Sequence, residues 1–234
     1  MSQSVFKFKR FSVRQSQAAM KVGTDGVLLG AWTTAENPKR ILDIGSGTGL
    51  IGLLLAQRFP YAEITGIEID KNAWMETEFN FAESPFSNRC KAVYSSLQNF
   101  KTDEKFDLIV SNPPFFKLTH SENSSRNIAR QQLSLNFEDL LNYSEKLLHA
   151  KGNCAFILPF EAEEKITHIA ESVDLFPTKI TRVKGNESAE YKRSLLLFSR
   201  EKSTVFRNDL IVETARNVYT DDYIQLTKEF YLKM

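Results

Sequence analysis

The feature that most constrains the fold is a short apolar segment that runs directly into a glycine-rich turn and then into a second apolar segment. The first segment spans 40–44 (RILDI), the turn is GSGTG at 45–49, and the second segment spans 50–59 and is stopped by Pro60. Glycines at alternate positions permit a tight turn and let a ligand touch the backbone. A strand, a glycine turn and a helix in this order open a βαβ unit, so the sequence predicts a parallel α/β sheet.

The same alternation of short apolar runs and helical patterns continues through most of the chain. A length of 234 residues suits a single domain. We expect a Rossmann-like, mostly parallel sheet with helices on both faces, preceded by a short N-terminal hairpin or arm within residues 1–22. Further strands are predicted at 63–69, 90–94, 106–110, 153–158, 179–184 and 194–199, and further helices at 71 to about 82 after an Asp70 cap, at 137–149 and at 161–173.

Composition excludes several classes of protein. No apolar run reaches the length of a membrane span, and the basic N-terminus is not followed by the apolar block of a signal peptide. Cys90 and Cys154 form neither a disulfide framework nor a CxxC pair, and the three histidines lack metal-ligand spacing. We therefore expect a cytoplasmic protein that binds neither metal nor membrane, and we expect a monomer.

The glycine turn and the next predicted strand indicate a nucleoside-type ligand. The spacing is G-x-G-x-G rather than the G-x-G-x-x-G of dinucleotide sites, and Asp43 beside the first glycine would repel a pyrophosphate. An acid there suits a cationic or neutral group, such as the amino group of a methionine moiety. Glu68 ends the adjacent strand, where an acid can accept both hydroxyls of a ribose. A purely structural turn beside a surface acid is the alternative.

A second motif follows the predicted strand at 106–110. Asn112-Pro113-Pro114-Phe115 places two prolines where they fix the backbone and remove two donors. The Asn112 side-chain oxygen and the Pro113 carbonyl can then accept hydrogen bonds from both N–H groups of a planar –NH₂ group. Phe115 offers a face on which the ring that carries this amine can stack. The alternative is an ordinary proline stop to a strand.

Charge is distributed unevenly although the net charge is only +1. Residues 1–24 hold five basic and no acidic side chains, and 179–207 hold eight basic against three acidic, so a polyanion could meet a basic face. The long stretch 115–136 has no periodicity, as in a lid or binding loop. Scatter over solvated surfaces is the bland alternative. The candidate residues for binding such a polyanion, which the resemblance below implies is RNA, are Lys7, Lys9, Arg10, Arg14, Lys117, Arg126 and Arg130.

DIGSGTG at 43–49 and SNPPFF at 111–116 together resemble the class I S-adenosylmethionine-dependent methyltransferases, over about residues 40–200. The opening FKFKRFSVRQSQAAMKVGTDGVLLGAW, with ILDIGSGTGLIGLLLAQR and ITGIEID, is similar to the bacterial tRNA(Val) adenine-37 N6-methyltransferase family over nearly the whole chain. This resemblance implies S-adenosyl-L-methionine as cofactor, tRNA as partner and methylation of an adenine N6.

The resemblance also implies roles for individual residues. Residues 1–35 would form a segment that closes over the cofactor and contacts RNA, and 36–234 the catalytic core. Many relatives carry an acid after the third strand, where this chain has Ser96, whose hydroxyl would make a weaker bond to the cofactor's adenine. Asp43, Gly45 and Gly47 would line the methionine end and Glu68 would hold the ribose; Thr24 and Asp25 would close over the cofactor; Asn112, Pro113 and Phe115 would bind the target base, with Asn112 also bordering the cofactor.

Four other functions fit the sequence less well. A DNA adenine methyltransferase usually adds a target-recognition domain, and a glutamine methyltransferase of release factors normally has a helical domain before the glycine turn, whereas only 42 residues precede Asp43. A nicotinamide oxidoreductase is disfavoured by the glycine spacing. A non-catalytic RNA-binding module would not need the Asn112–Phe115 turn.

Overall fold

The computed structural model describes residues 4–16, 21–114 and 136–233. Its centre is an eight-stranded sheet in the order β10-β8-β9-β7-β6-β3-β4-β5, in which β9 runs against the other seven strands. The strands are β1 Val5–Lys7, β2 Ser12–Arg14, β3 Arg40–Ile44, β4 Glu63–Glu68, β5 Cys90–Tyr94, β6 Phe106–Ser111, β7 Leu148–Pro159, β8 Phe176–Lys184, β9 Tyr191–Ser199, β10 Phe206–Ile211, β11 Glu213–Ala215 and β12 Val218–Tyr219. The helices are α1 Thr24–Trp32, α2 Leu50–Arg58, α3 Lys71–Ala82, α4 Phe137–Leu147, α5 Glu163–Ser172 and α6 Asp221–Thr227.

Helices cover both faces of the sheet. One buried cluster joins the sheet to α1, α2, the end of α3 and α6, and the other joins it to α4 and α5. The central strands are therefore buried on both sides, which is why they read as continuous apolar runs and not as an alternating pattern. Among the described residues, no helix is long and apolar enough to cross a membrane.

The predicted α/β architecture is confirmed, and several boundaries need correction. The strands predicted at 40–44 and 90–94 match the observed ones. The helix predicted to reach His149 ends at Leu147, and β7 begins at Leu148. Leu148 pairs with Phe106 of β6, so the chain joins the sheet here instead of continuing the helix. The helix predicted at 161–173 spans Glu163–Ser172.

The N-terminal hairpin is also confirmed. β1 and β2 pair antiparallel, and the turn between them packs against the C-terminal part of the chain. The Phe8 ring lies 4.8 Å from that of Phe11 and 5.8 Å from that of Tyr231, and the Lys9 amide donates to the Phe230 carbonyl at 2.8 Å. The hairpin is therefore part of the main hydrophobic core.

Helix α1 was not predicted, because two glycines lower its helix propensity. The packing of α1 shows why position 30 requires glycine, because a Cβ there would lie 2.6 Å from a methyl carbon of Leu54. The glycine lets α1 lie directly against α2, and this close packing stabilises a helix that the local sequence disfavours.

Candidate active site

The two motifs meet at the carboxyl edge of the sheet. Ile44 at the end of β3 pairs with Ser111 at the end of β6, and the Ser111 hydroxyl donates to the Ile44 carbonyl at 2.8 Å. Gly45 and Asn112 are the next residues of these neighbouring strands. Open α/β sheets bind ligands in the crevice beyond the carboxyl ends of their strands, so the arrangement creates one candidate site from both motifs.

The glycine turn keeps its backbone open to that crevice. Gly45 and Gly47 have backbone φ values of 71° and 60°, a conformation that residues with a Cβ rarely adopt. A Cβ on Gly45 would meet no described atom within 4 Å, and one on Gly47 would come no closer than 3.9 Å to a carbonyl oxygen. The amides of Gly45 and Ser46 donate to the Ile67 carbonyl at 2.9 and 3.0 Å, which ties the turn to β4. The turn therefore provides a firmly held surface that a ligand can approach closely.

Asp43 is fully buried below this turn. Its Oδ2 accepts from the Gly52 amide at 3.0 Å, while Oδ1 has no hydrogen-bond partner among the described residues. Burial raises the pKa of Asp43 to about 7, opposed by the Gly52 hydrogen bond and assisted by repulsion from Glu68. Because buried polar atoms are normally hydrogen-bonded, the unpartnered oxygen indicates a donor or cation that binds here.

Glu68 is held by backbone amides alone among its described contacts. Oε2 accepts from Gly47 at 2.9 Å, and Oε1 accepts from Ile69 and Asp70 at 2.8 and 2.9 Å. A carboxylate has about four acceptor positions, so this one can still accept from a hydroxyl group. Its neighbour Ile69 is 40% exposed. The predicted strand at 63–69 included Ile69, whereas β4 ends at Glu68 and Ile69 forms an apolar surface beside this candidate ribose-binding acid.

The predicted base-binding residues are only partly described. Asn112 is half-buried and Pro113 is buried at the end of β6. Phe115 lies outside the described residues, as do the predicted RNA contacts Lys117, Arg126 and Arg130. Ser96 follows β5, where its hydroxyl accepts from the Asn99 amide at 3.2 Å and so supports a local turn.

Thr24 and Asp25 lie on the other side of the two motifs from Glu68. Asp25 Oδ2 lies 2.7 Å from Nε of Arg193 at the start of β9. Both residues of α1 line a cavity of about 450 Å³, together with Lys184 and Lys192. The first turn of α1 also approaches the glycine turn, because a Cβ on Gly26 would lie 3.0 Å from the Leu50 side chain that starts α2. The sequence reading did not foresee the pairing with Arg193, since 168 residues separate the two.

The four predicted basic residues of the N-terminal hairpin differ in their surroundings. Lys7, Lys9 and Arg10 are exposed. The Arg14 guanidinium instead lies 3.6 Å from the centre of the Phe79 ring on α3, and its side chain is 19% exposed. Arg14 therefore contributes to packing of the hairpin on α3.

Comparison with known proteins gives consistent similarities. The model of the methyltransferase small domain family matches residues 15–156. A tRNA1(Val) (adenine(37)-N6)-methyltransferase of Flavobacterium psychrophilum is 48% identical over 98% of this chain and all of its own, and one of Flavobacterium johnsoniae is 47% identical with the same coverage. A solved structure described as a predicted O-methyltransferase of Agrobacterium tumefaciens aligns with a TM-score of 0.69 at 20% identity, over 88% of this chain and 96% of that one. At this identity the last likeness concerns the fold alone.

Proposed function

The chain belongs to the methyltransferase small domain family and, within it, to the tRNA1(Val) (adenine(37)-N6)-methyltransferases, and from that premise we propose that it methylates N6 of adenine 37 in a valine tRNA. S-adenosylmethionine is the methyl donor. The observation that carries the proposal is the junction of β3 and β6, where an open glycine turn over a buried carboxylate adjoins an Asn-Pro-Pro turn.

The residues present fit this cofactor. The unpartnered Oδ1 of Asp43 can accept from the amino group of the methionine moiety, and Gly45 and Gly47 leave room for a ligand against the backbone. Glu68, fixed by three amides, can hold the ribose hydroxyls of the cofactor. The exposed Ile69 side chain beside it can contact the cofactor's adenine ring. When bound, S-adenosylmethionine supplies an electrophilic methyl group on a sulfonium.

The chain's own contribution to the chemistry is positioning of the target amine. The lone pair of the adenine N6 is delocalised into the ring, so the amine is a poor nucleophile. Asn112 Oδ1 and the Pro113 carbonyl would accept hydrogen bonds from the two N–H groups of this amine and localise the lone pair on nitrogen. The same dipoles stabilise the positive charge that develops on nitrogen. We assign Phe115 the face of the base, and positioning of this kind can supply roughly 7–11 kcal/mol of the barrier reduction.

The tRNA would lie over the carboxyl edge. Extruding an unpaired anticodon-loop adenine costs only a few kcal/mol, so stacking and phosphate contacts can supply it. Exposure of Lys7, Lys9 and Arg10 supports a role for the hairpin, and the cavity beside Arg193 and Lys192 offers a second basic surface on the same edge. We propose that Lys117, Arg126 and Arg130 also bind the RNA, together with Arg14, whose guanidinium stacks on Phe79.

The proposed organisation follows from these roles. Residues 1–35 would cover the cofactor and contact RNA, and 36–234 would form the catalytic core of a single domain; the shared hydrophobic cluster of Phe8, Leu28 and Leu54 supports one cooperative unit. We further propose that Thr24 and Asp25 border the closed cofactor site, that Ser96 approaches the cofactor adenine, and that the protein acts as a cytoplasmic monomer without metal.

The test is methyl transfer from a labelled donor to unmodified total tRNA, followed by nucleoside analysis. We expect N6-methyladenosine at position 37 of a valine tRNA. Asn112→Ala should lose about 10²–10³ in rate while it retains cofactor affinity, since Asn112 would contact the developing charge. Absence of labelled N6-methyladenosine from the tRNA, or normal turnover by Asn112→Ala, would contradict the proposal.

A further inference from the structure

One polar side chain on α3 joins the N-terminal hairpin to the glycine turn. Asn80 is 2% exposed. Its Oδ1 accepts from the Arg14 amide at 2.8 Å, and its Nδ2 donates to the Arg14 carbonyl and to the Thr48 carbonyl, each at 2.8 Å. Both amide protons and the oxygen are therefore used, and the orientation of the amide is fixed by its partners.

Two neighbours on the same helix contact the glycine turn and the chain just beyond the hairpin, respectively. The Thr77 hydroxyl donates to the Gly47 carbonyl at 2.9 Å, and within the described parts of the chain its hydrogen bonds reach the glycine turn and not the hairpin. Buried Glu76 accepts from the amide and the hydroxyl of Ser16 at 2.5 and 2.9 Å, just beyond the hairpin. Asn80 thus lies where the hairpin contacts and the turn contacts of α3 coincide.

We propose that Asn80 is a positioning residue that couples docking of the N-terminal hairpin to the shape of the cofactor turn, an inference that rests on the proposed cofactor site. Thr48 lies between Gly47 and Gly49, which both have positive φ. The direction of its carbonyl depends on the conformation of the turn. A ligand that contacts this turn and fixes the direction of the Thr48 carbonyl strengthens the Thr48–Asn80 bond and, through the same amide, the bonds to Arg14. By linkage, a loosened hairpin must weaken ligand binding by the same factor.

The coupling can be measured with S-adenosylhomocysteine, the demethylated product, on the full chain. In wild type we expect saturating product to slow amide exchange across residues 12–16 several-fold. Asn80→Ala should bind product about tenfold or more weakly and lose this slowing at saturation. Thr77→Val is the matched control: it removes a bond to the same turn, so it should weaken binding yet keep the slowed exchange in the hairpin.

A double-mutant cycle separates coupling from simple loss of structure. Ser16→Ala removes one hairpin bond and should weaken product binding about twofold to fivefold in wild type, but leave it unchanged in the Asn80→Ala background. Circular dichroism establishes that each variant folds, and Asn80→Ser replaces Asn80→Ala if that variant does not. Wild-type affinity in the Asn80 variant, or an equal effect of Ser16→Ala in both backgrounds, overturns the coupling. Failure of the wild type to bind product would contradict the proposed function instead.

Discussion

Two clusters of acids at the carboxyl edge of the sheet are stabilised in opposite ways. On β3 and β4, the carboxylates of Asp43 and Glu68 accept from backbone amides, which bring no net charge. Beside β8 and β9, Asp25 of α1 pairs with Arg193, while Glu163 of α5 accepts from Arg182 at 2.8 Å and from the Ser194 hydroxyl. The acids of the first cluster have no cationic partner among the described residues, so they can accept a ligand's hydroxyl groups and cationic amine. The acids of the second cluster are already paired with arginines, so they hold α1 and α5 against the sheet.

The largest contrast should come from removing one acid of each cluster. Glu68→Ala should weaken binding of S-adenosylhomocysteine about 100-fold, since hydrogen bonds to a charged group contribute about 1.5–3 kcal/mol each. Glu163→Ala should leave the affinity within about twofold and lower the free energy of unfolding by about 1–3 kcal/mol, because it leaves Ser194 buried without this partner. Calorimetry and thermal unfolding give both quantities. Equal losses of affinity would mean that the two clusters do not differ in role.

Asp43→Asn tests the same contrast through pH. The pKa of Asp43 is raised to about 7, so the wild type should bind the cofactor product more weakly as pH falls from 8 to 6 and the carboxylate becomes protonated. The variant should bind about tenfold more weakly at pH 8 and show a flatter pH dependence. Titration calorimetry at four pH values measures both effects.

The free energy of unfolding of the wild type should depend on pH in the opposite sense to its ligand affinity. A carboxyl whose folded pKa lies above its unfolded value of 3.8 binds the extra proton when folded, so its contribution to stability is lost as pH rises through about 7. Asp43→Asn should therefore be more stable than wild type at pH 8, with the difference shrinking toward pH 5. A variant that is less stable at pH 8 would show that the ionised carboxylate stabilises the ligand-free fold.

A pair of arginines at the two ends of β9 separates RNA binding from simple ion pairing. Arg193 and Arg200 each contact one acid, at 2.7 and 2.6 Å, with similar half-buried side chains. Because β9 starts at the carboxyl edge, only Arg193 lies beside the proposed site. Arg193→Ala should weaken tRNA binding about threefold to tenfold and reduce the salt slope by about 0.7, whereas Arg200→Ala should change neither. Filter binding across a salt series distinguishes them.

The smallest effect is expected within the hairpin. Arg14→Ala removes the contact with Phe79 and should cost about 0.5–1 kcal/mol of stability. Because the Arg14 side chain is only 19% exposed, the variant should lower the salt slope of tRNA binding by less than one full phosphate contact. Replacing exposed Lys7 and Arg10 by alanine should leave stability unchanged and lower the slope more. Thermal unfolding and the same salt series compare the variants, and an equal loss of slope for Arg14→Ala would contradict this difference.

What the sequence could predict depended on how local each signal is. The strand, turn and helix around Gly45 are adjacent in the chain, and their burial on both faces appears directly as apolar runs. Strand β10 escaped prediction because it is an edge strand in which four of six residues are exposed, so it lacks an apolar pattern. From the sequence, Asn80 resembles a solvated residue in the last turn of a helix. Its burial depends on Arg14 and Thr48, 66 and 32 residues away.

The contact between the hairpin and residues 228–231 has a consequence for synthesis on the ribosome. Lys9 Nζ donates to the Lys228 carbonyl at 2.6 Å, across 219 residues of sequence. At about 5–20 residues per second, translation needs roughly 11–44 s to cover that distance. Phe8 and Phe11 therefore emerge early and must wait for Tyr231 while the central strands fold. The contacts of the hairpin with α3 can form much earlier, so the hairpin docks on the nascent chain in two stages, and its aromatic turn is completed only when the last residues are made.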